Sequence, residues 1–183
     1  MIRRIVLALT CVVAAMPSAH AGDDSAAMTR VVSGFYGAVL ALPQGGIPDA
    51  KARKSLEPFV SPALDGLLVQ GEAAEASYAA LTKNEVPPLL EGDIFTSMFE
   101  GATAFRVGDC RTHGAKAECS VSLTYESPGD KPQHWSDTAI VVETASGWRV
   151  DDIDFGGNWA FANKGTLKEN LTFAIHNAQG GGD

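Results

Sequence analysis

Glu118-Cys119-Ser120-Val121-Ser122-Leu123-Thr124-Tyr125-Glu126 is the stretch that decides the fold class. Polar and apolar residues alternate one for one, the period of a strand with one face buried and one in water. Upstream, Thr103, Phe105 and Val107 alternate with Ala104 and Arg106. Downstream, Ser127-Pro128-Gly129-Asp130 reads as a turn, residues 134–143 as a third strand, Ser146-Gly147 as a turn and residues 148–155 as a fourth strand. Strands this closely spaced connect as antiparallel hairpins.

Before the strands the period changes. Met28, Val31, Val32, Phe35, Tyr36, Val39 and Leu40 recur at three- and four-residue steps, which predicts a helix over 24–42 ended by Pro43, Gly45 and Gly46. A short helix is expected over 49–56. A longer one opens at Ser61-Pro62, an N-cap with proline at the first helical position, and runs to residue 81. It should bury Leu64, Leu67, Leu68 and Tyr78 and turn Glu72 and Glu75 to water. After the strands, Thr166-Leu167-Lys168-Glu169 is a capping box opening a last helix. The glycine-rich residues from 179 onward should fray. Helices followed by a strand meander predict an α+β domain: N-terminal helices packed on a curved antiparallel sheet, with a short C-terminal helix. The domain is expected over 22–183, with its core at about 24–175.

The N-terminus reads as an export signal. Arg3 and Arg4 precede an apolar run over residues 5–15, Pro17 and Ser18 break it, and Ala19-His20-Ala21 offers small residues where a signal peptidase reads. Cleavage is expected after Ala21, so the protein should reach the periplasm or be secreted. The run is shorter than the roughly 20 residues a membrane span needs, so no stable membrane anchor is expected. The chain has a formal net charge of −8, and removing Arg3 and Arg4 makes it more acidic, which argues against nucleic acid as a partner. Cys11 leaves with the leader. Cys110 and Cys119 remain, an even pair in an oxidising compartment, and are expected to form a disulfide across a hairpin whose tip spans residues 111–118. With His113 alone beside them, the two cysteines are too few for a closed zinc site.

The last long strand carries Gly147-Trp148-Arg149-Val150-Asp151-Asp152-Ile153. With helices first and a meander after, this pattern resembles the nuclear transport factor two-like fold, in which a curved sheet wraps a long helix into a cone. More narrowly, the chain is similar to exported bacterial proteins and lipoproteins classed as domains of unknown function with that fold. The resemblance covers about residues 24–153; the helix after Thr166 departs from the minimal fold. It implies a pocket in the cone mouth, and isomerase-type members place an acid or histidine with a tyrosine there. Members also include carriers and interaction modules, so the chemistry must come from the site.

On that implied geometry, Tyr125, Trp135 and Trp148 are candidate aromatic walls of a ligand pocket, with Arg106 and Asp151 as its polar groups. The structural alternatives are core packing for the aromatics and a cross-strand ion pair for Arg106 with Asp151. Residues 93–101 are the second candidate region: Phe95, Met98 and Phe99 lie between Asp93 and Glu100. They form either a lid or partner-binding loop or a plug closing one end of the core. Asp151, Asp152 and Asp154 lack the spacing of a calcium loop, and no phosphate loop, dinucleotide fingerprint or nucleophile elbow occurs. No cofactor or metal is expected. The expectation is a periplasmic binding or interaction module that takes a small apolar ligand or a protein partner, in one version an immunity-type inhibitor of a basic toxin. The alternative is a small-molecule isomerase or hydrolase using a pocket acid such as Asp151. A homodimer through the open sheet face fits the same fold.

Overall fold

A computed structural model describes residues 20–43 and 45–178. Residues 1–19, where the export signal is expected and Cys11 lies, and the glycine-rich tail from residue 179 lie outside the described residues. The elements run α1 (His20–Leu40), α2 (Ala50–Arg53), α3 (Pro62–Leu81), β1 (Ala104–His113), β2 (Lys116–Tyr125), β3 (Gln133–Thr144), β4 (Gly147–Asp154) and α4 (Leu167–Ala178). The strands form one antiparallel sheet in the order β1-β2-β3-β4. The architecture is the α+β arrangement of helices on an unclosed antiparallel sheet, closed off by a short C-terminal helix. No helix among the described residues is long and apolar enough to cross a membrane.

Alternation does the work in the sheet. Ala117, Cys119, Val121 and Leu123 of β2, with Trp135, Ala139 and Val141 of β3, are buried on one face. α1 lies against that face with Met28, Val32, Phe35 and Tyr36 almost fully buried. Burying each such side chain contributes about 1.5–3 kcal/mol. Phe35 meets Tyr36 edge-on at 5.2 Å, and Tyr36 in turn meets Phe105 of β1 at 5.7 Å. The concave face is thus occupied by packed side chains.

Several local expectations are corrected. β1 and β2 extend into the supposed hairpin tip, leaving Gly114 and Ala115 as the turn. β1 bulges between Val107 and Cys110; the extra residue lets Val107 and Cys110 both approach the core. Cys110 and Cys119 are cross-strand neighbours joined by a disulfide just beyond that bulge. The second helix is only one turn long. Leu67 and Tyr78 are half-buried rather than buried. Glu72 and Glu75 do not simply face water: Glu72 accepts from Arg53 Nη1 at 2.7 Å, and Glu75 accepts from the Leu89 amide at 3.1 Å. The capping box forms as read, with Glu169 N donating to Thr166 Oγ1 and Thr166 N to Glu169 Oε2.

An antiparallel meander has two ends. One carries the tight hairpins at 114–115 and 145–146. At the other, β1 begins, β2 ends, β3 begins and β4 ends, and the chain there enters from residues 92–101 and leaves through residues 156–165. Those two loops hold the candidate site.

Candidate functional site: two loops locked on a buried aspartate

The five pocket candidates are not brought together. Arg106 is exposed on β1, one edge strand, and Asp151 sits on β4, the other, so they form no cross-strand pair. Asp151 is the extra residue of a second bulge, opposite Ile140 and Val141. Its Oδ1 accepts from Ser61 Oγ at 2.6 Å and its Oδ2 pairs with Lys168 Nζ at 2.8 Å. Its burial, which alone raises the pKa, is outweighed by these hydrogen bonds and by the charge of Lys168, and the net shift is downward. Ser61 also caps α3 by accepting from Leu64 N, and Asp152 Oδ1 accepts from Lys168 N at the start of α4. This acid fastens α3 and α4 to the sheet edge. Trp148 is buried near the opposite end, its Nε1 directed to Asp24 Oδ1 of α1 at 3.4 Å. Tyr125 is half-buried at the end of β2.

Trp135 leads to the group the sequence reading missed. Asp137, two residues on, points the same way into the core and is 2% exposed. Its carboxylate accepts four hydrogen bonds: from Ser97 N at 2.8 Å, Ser97 Oγ, Gly156 N at 2.9 Å and Trp135 Nε1 at 3.1 Å. Four donors match the lone-pair sites of a carboxylate, and no cation takes part among the described residues. Ser97 Oγ also accepts from Gly157 N at 2.9 Å. Gly157 has to be glycine here, since a Cβ would come within 2.7 Å of Ser97 Cβ. Asn163 completes the lock: its Nδ2 donates to the Asp93 and Thr96 carbonyls at 2.8 and 2.6 Å, and its amide to Ser97 O at 2.9 Å. Residues 92–101 and 156–163 are therefore one hydrogen-bonded unit seated on β3.

The 93–101 candidates divide between inside and outside. Phe95 is buried and meets Phe35 edge-on at 5.7 Å; Ile94 and Met98 are buried with it. This half is the plug. Phe99 turns outward, 47% exposed, with Glu100 exposed beside it. Asp93 is half-buried. Its Oδ1 accepts from Phe95 N at 2.6 Å and Thr96 N at 2.8 Å. Burial, helped by the charge of Asp137, outweighs these bonds and pushes its pKa up to about 6. Tyr36 lies in the same interior, its hydroxyl pKa raised by burial and by Asp137 and Asp93.

The exit loop supplies the other exposed aromatic. Trp159 packs edge-on against Trp135 at 6.0 Å. Two residues later Phe161 is 94% exposed, with φ at 67°. That left-handed conformation costs a non-glycine residue about 1–2 kcal/mol, and the exposed ring recovers nothing by burial. Met98, Phe99, Glu100, Gln133, Trp159 and Phe161 line one depression of about 470 Å³. Thr103, Tyr125, Gly92 and Gly45 line another on the far side of Phe99. The two form a continuous aromatic rim at the loop end of the sheet. Comparison with protein-family models, curated proteins and solved structures gives no match.

Proposed function

We propose that this chain is a non-enzymatic binding module that acts in the periplasm or is secreted, and that it holds a protein partner at the aromatic rim. The observation that carries the reading is Phe161: a fully presented aromatic ring in a strained backbone conformation, beside the exposed Phe99. Strain and exposure together make sense where a ring is reserved for a partner. Aromatic side chains are the usual anchors of such faces, and the rigid support from Asp137, Ser97 and Asn163 reduces the ordering cost of binding. Glu100 at the rim and the net charge of −8 favour a basic partner. An immunity-type inhibitor of a basic toxin is one concrete form. The Arg3-Arg4 leader pattern and the Cys110–Cys119 disulfide support an exported location.

The test is site-specific photocrosslinking in the producing cell. The photoreactive analogue p-benzoylphenylalanine is placed at Phe161, at Phe99, or at Leu81, a control that is 75% exposed on α3. A discrete adduct at 161 and 99, absent at 81, is expected. An adduct of twice the chain mass would make the partner a second copy. No adduct, or the same pattern at all three sites, would contradict the reading. The competing enzyme reading passes from Asp151 to Asp93, the half-buried acid with a pKa near 6; it requires turnover that Asp93→Asn abolishes.

A further inference from the structure

The sheet has a second face. Alternation puts Ala139 and Val141 of β3 in the core and turns Thr138, Ile140 and Val142 to the opposite side. Ile140 and Val142 are half-buried, yet they belong neither to the core cluster nor to the side chains packed against it. Cross-strand register builds two rows around them. One is Glu118, Ile140 and Asp152; the next, two residues along β3, is Lys116, Val142 and Arg149. The bulge at Asp151 makes this possible: it adds one residue to β4, so that Arg149 and Asp152, three apart, share a face. Both rows read charge, aliphatic, charge, and their signs are opposite strand by strand. Among the described residues Lys116, Arg149 and Asp152 make no ion pair, and Glu118 has only the exposed His113, at 4.0 Å.

We infer that this face binds a second copy of the chain, about a two-fold axis that lies in the interface, between the two rows and across the strands. Such an axis lays each row on the other row of the second copy, strand on like strand. Glu118 meets the partner's Lys116, Asp152 meets the partner's Arg149 and Ile140 meets the partner's Val142, and each contact occurs twice. Charge complementarity selects the occupant. A face of one sign would repel its own copy, and a partner of one sign would set like charges against one of the two rows. Facing sheets cross at about 30°, so the match is best at β3 and its neighbours β2 and β4. Arg111 and His113, farther out on β1, take no part in it. The pair between Glu118 and Lys116 counts for more than the pair on β4. There Arg149 Nη1 already donates to Trp148 O at 2.7 Å, and Asp152 Oδ1 accepts from Lys168 N at 2.9 Å. The overlap is about seven residues along each strand, a plane of about 450 Å² per copy. Stable interfaces bury roughly 800 Å² per partner, so this dimer is weak and reversible. The face is separate from the aromatic rim and does not depend on it.

The experiment is sedimentation equilibrium of the purified protein between about 10 μM and about 1 mM. A monomer–dimer equilibrium that weakens as salt rises is expected. Lys116→Glu and Glu118→Lys each set like charges across the axis twice, and each should raise the dissociation constant about ten-fold or more. An equal mixture of the two variants should recover the dimer, because the reversed charges then face each other. A variant carrying both substitutions should dimerise like the unaltered protein. Phe161→Ser, at the rim, should leave the equilibrium unchanged. A monomer throughout the range, indifference to both single reversals, no recovery in the mixture, or loss of the dimer in Phe161→Ser would each overturn the inference. The concentration and salt series on the unaltered protein decides even if a variant does not fold.

Discussion

Two buried aspartates fasten two parts of this molecule to the same sheet, and they do it differently. Asp151 on the edge strand β4 uses an ion pair to Lys168 and a serine hydroxyl to hold two helices. Asp137 on the inner strand β3 uses four uncharged donors to hold two loops. A helix leaves only its end groups unsatisfied, and Ser61 and Asp152 accept from first-turn amides of α3 and α4, so one charged contact suffices to dock them. Loops arrive with free amides, and a buried loop must give each one a partner. Asp137 meets that demand at one point, which is why residues 92–101 and 156–163 can present Phe99 and Phe161 from a fixed base.

The comparison breaks most sharply at Asp137. Asp137→Ala strands the Ser97 and Gly156 amides and the Trp135 indole in the interior and should cost about 3–5 kcal/mol, read by urea denaturation. Asp137→Asn keeps acceptor capacity on only one oxygen and should lose less. Asp151→Ala should cost less than Asp137→Ala, because Lys168 is partly exposed and can return to water. An equal or larger loss at Asp151 would reverse the ranking.

The acids also separate by pH. Asp151 has a lowered pKa in the folded state. Its contribution is present above the ordinary carboxylate value of about 3.9 and is lost as pH falls through the lowered one. Asp93 runs the other way. Its pKa is raised to about 6, so its contribution is present below about 3.9 and is lost as pH rises through about 6, by at most about 3 kcal/mol. Stability measured against pH should therefore flatten between about 4 and 6 in Asp93→Asn, and only on the acid side in Asp151→Asn. The smallest effect expected is at Phe161. Phe161→Gly relieves the left-handed strain and should stabilise by up to about 1 kcal/mol while removing the rim's most exposed ring. A gain in stability with crosslinking at Phe99 lost would separate a binding role from a packing role.

The strands were legible because alternation is a local signal: each of the four was found, with ends misplaced by a few residues. The α1 stripe and the Thr166 capping box were legible for the same reason. Asp137 left a faint trace, being an acid in phase with Trp135, Ala139 and Val141 on a face that must be buried. What it binds is 40 residues away at Ser97, and no local pattern announces that. Phe95 and Phe99 looked equivalent, and only the folding of residues 92–101 back on themselves sends one inward and the other out. Gly92, with φ at 68°, begins that turn at a point where a Cβ would run into the Phe99 carbonyl at 2.5 Å. The supposed pairing of Arg106 with Asp151 failed because strand order, which sequence does not state, puts them on opposite edges. Phe161 lay in a stretch that read only as an exit from the sheet.

The most direct test of the central claim, that the two rim loops form one preformed face, is amide hydrogen exchange on the unbound protein. The amides of Ser97, Gly156, Gly157 and Asn163 should be protected to a similar degree and lose that protection together in Asp137→Asn. Exchange of residues 156–163 at the rate of an open chain while Ser97 stays protected would contradict it: the loops would then move independently, and the rim would not exist before a partner arrives.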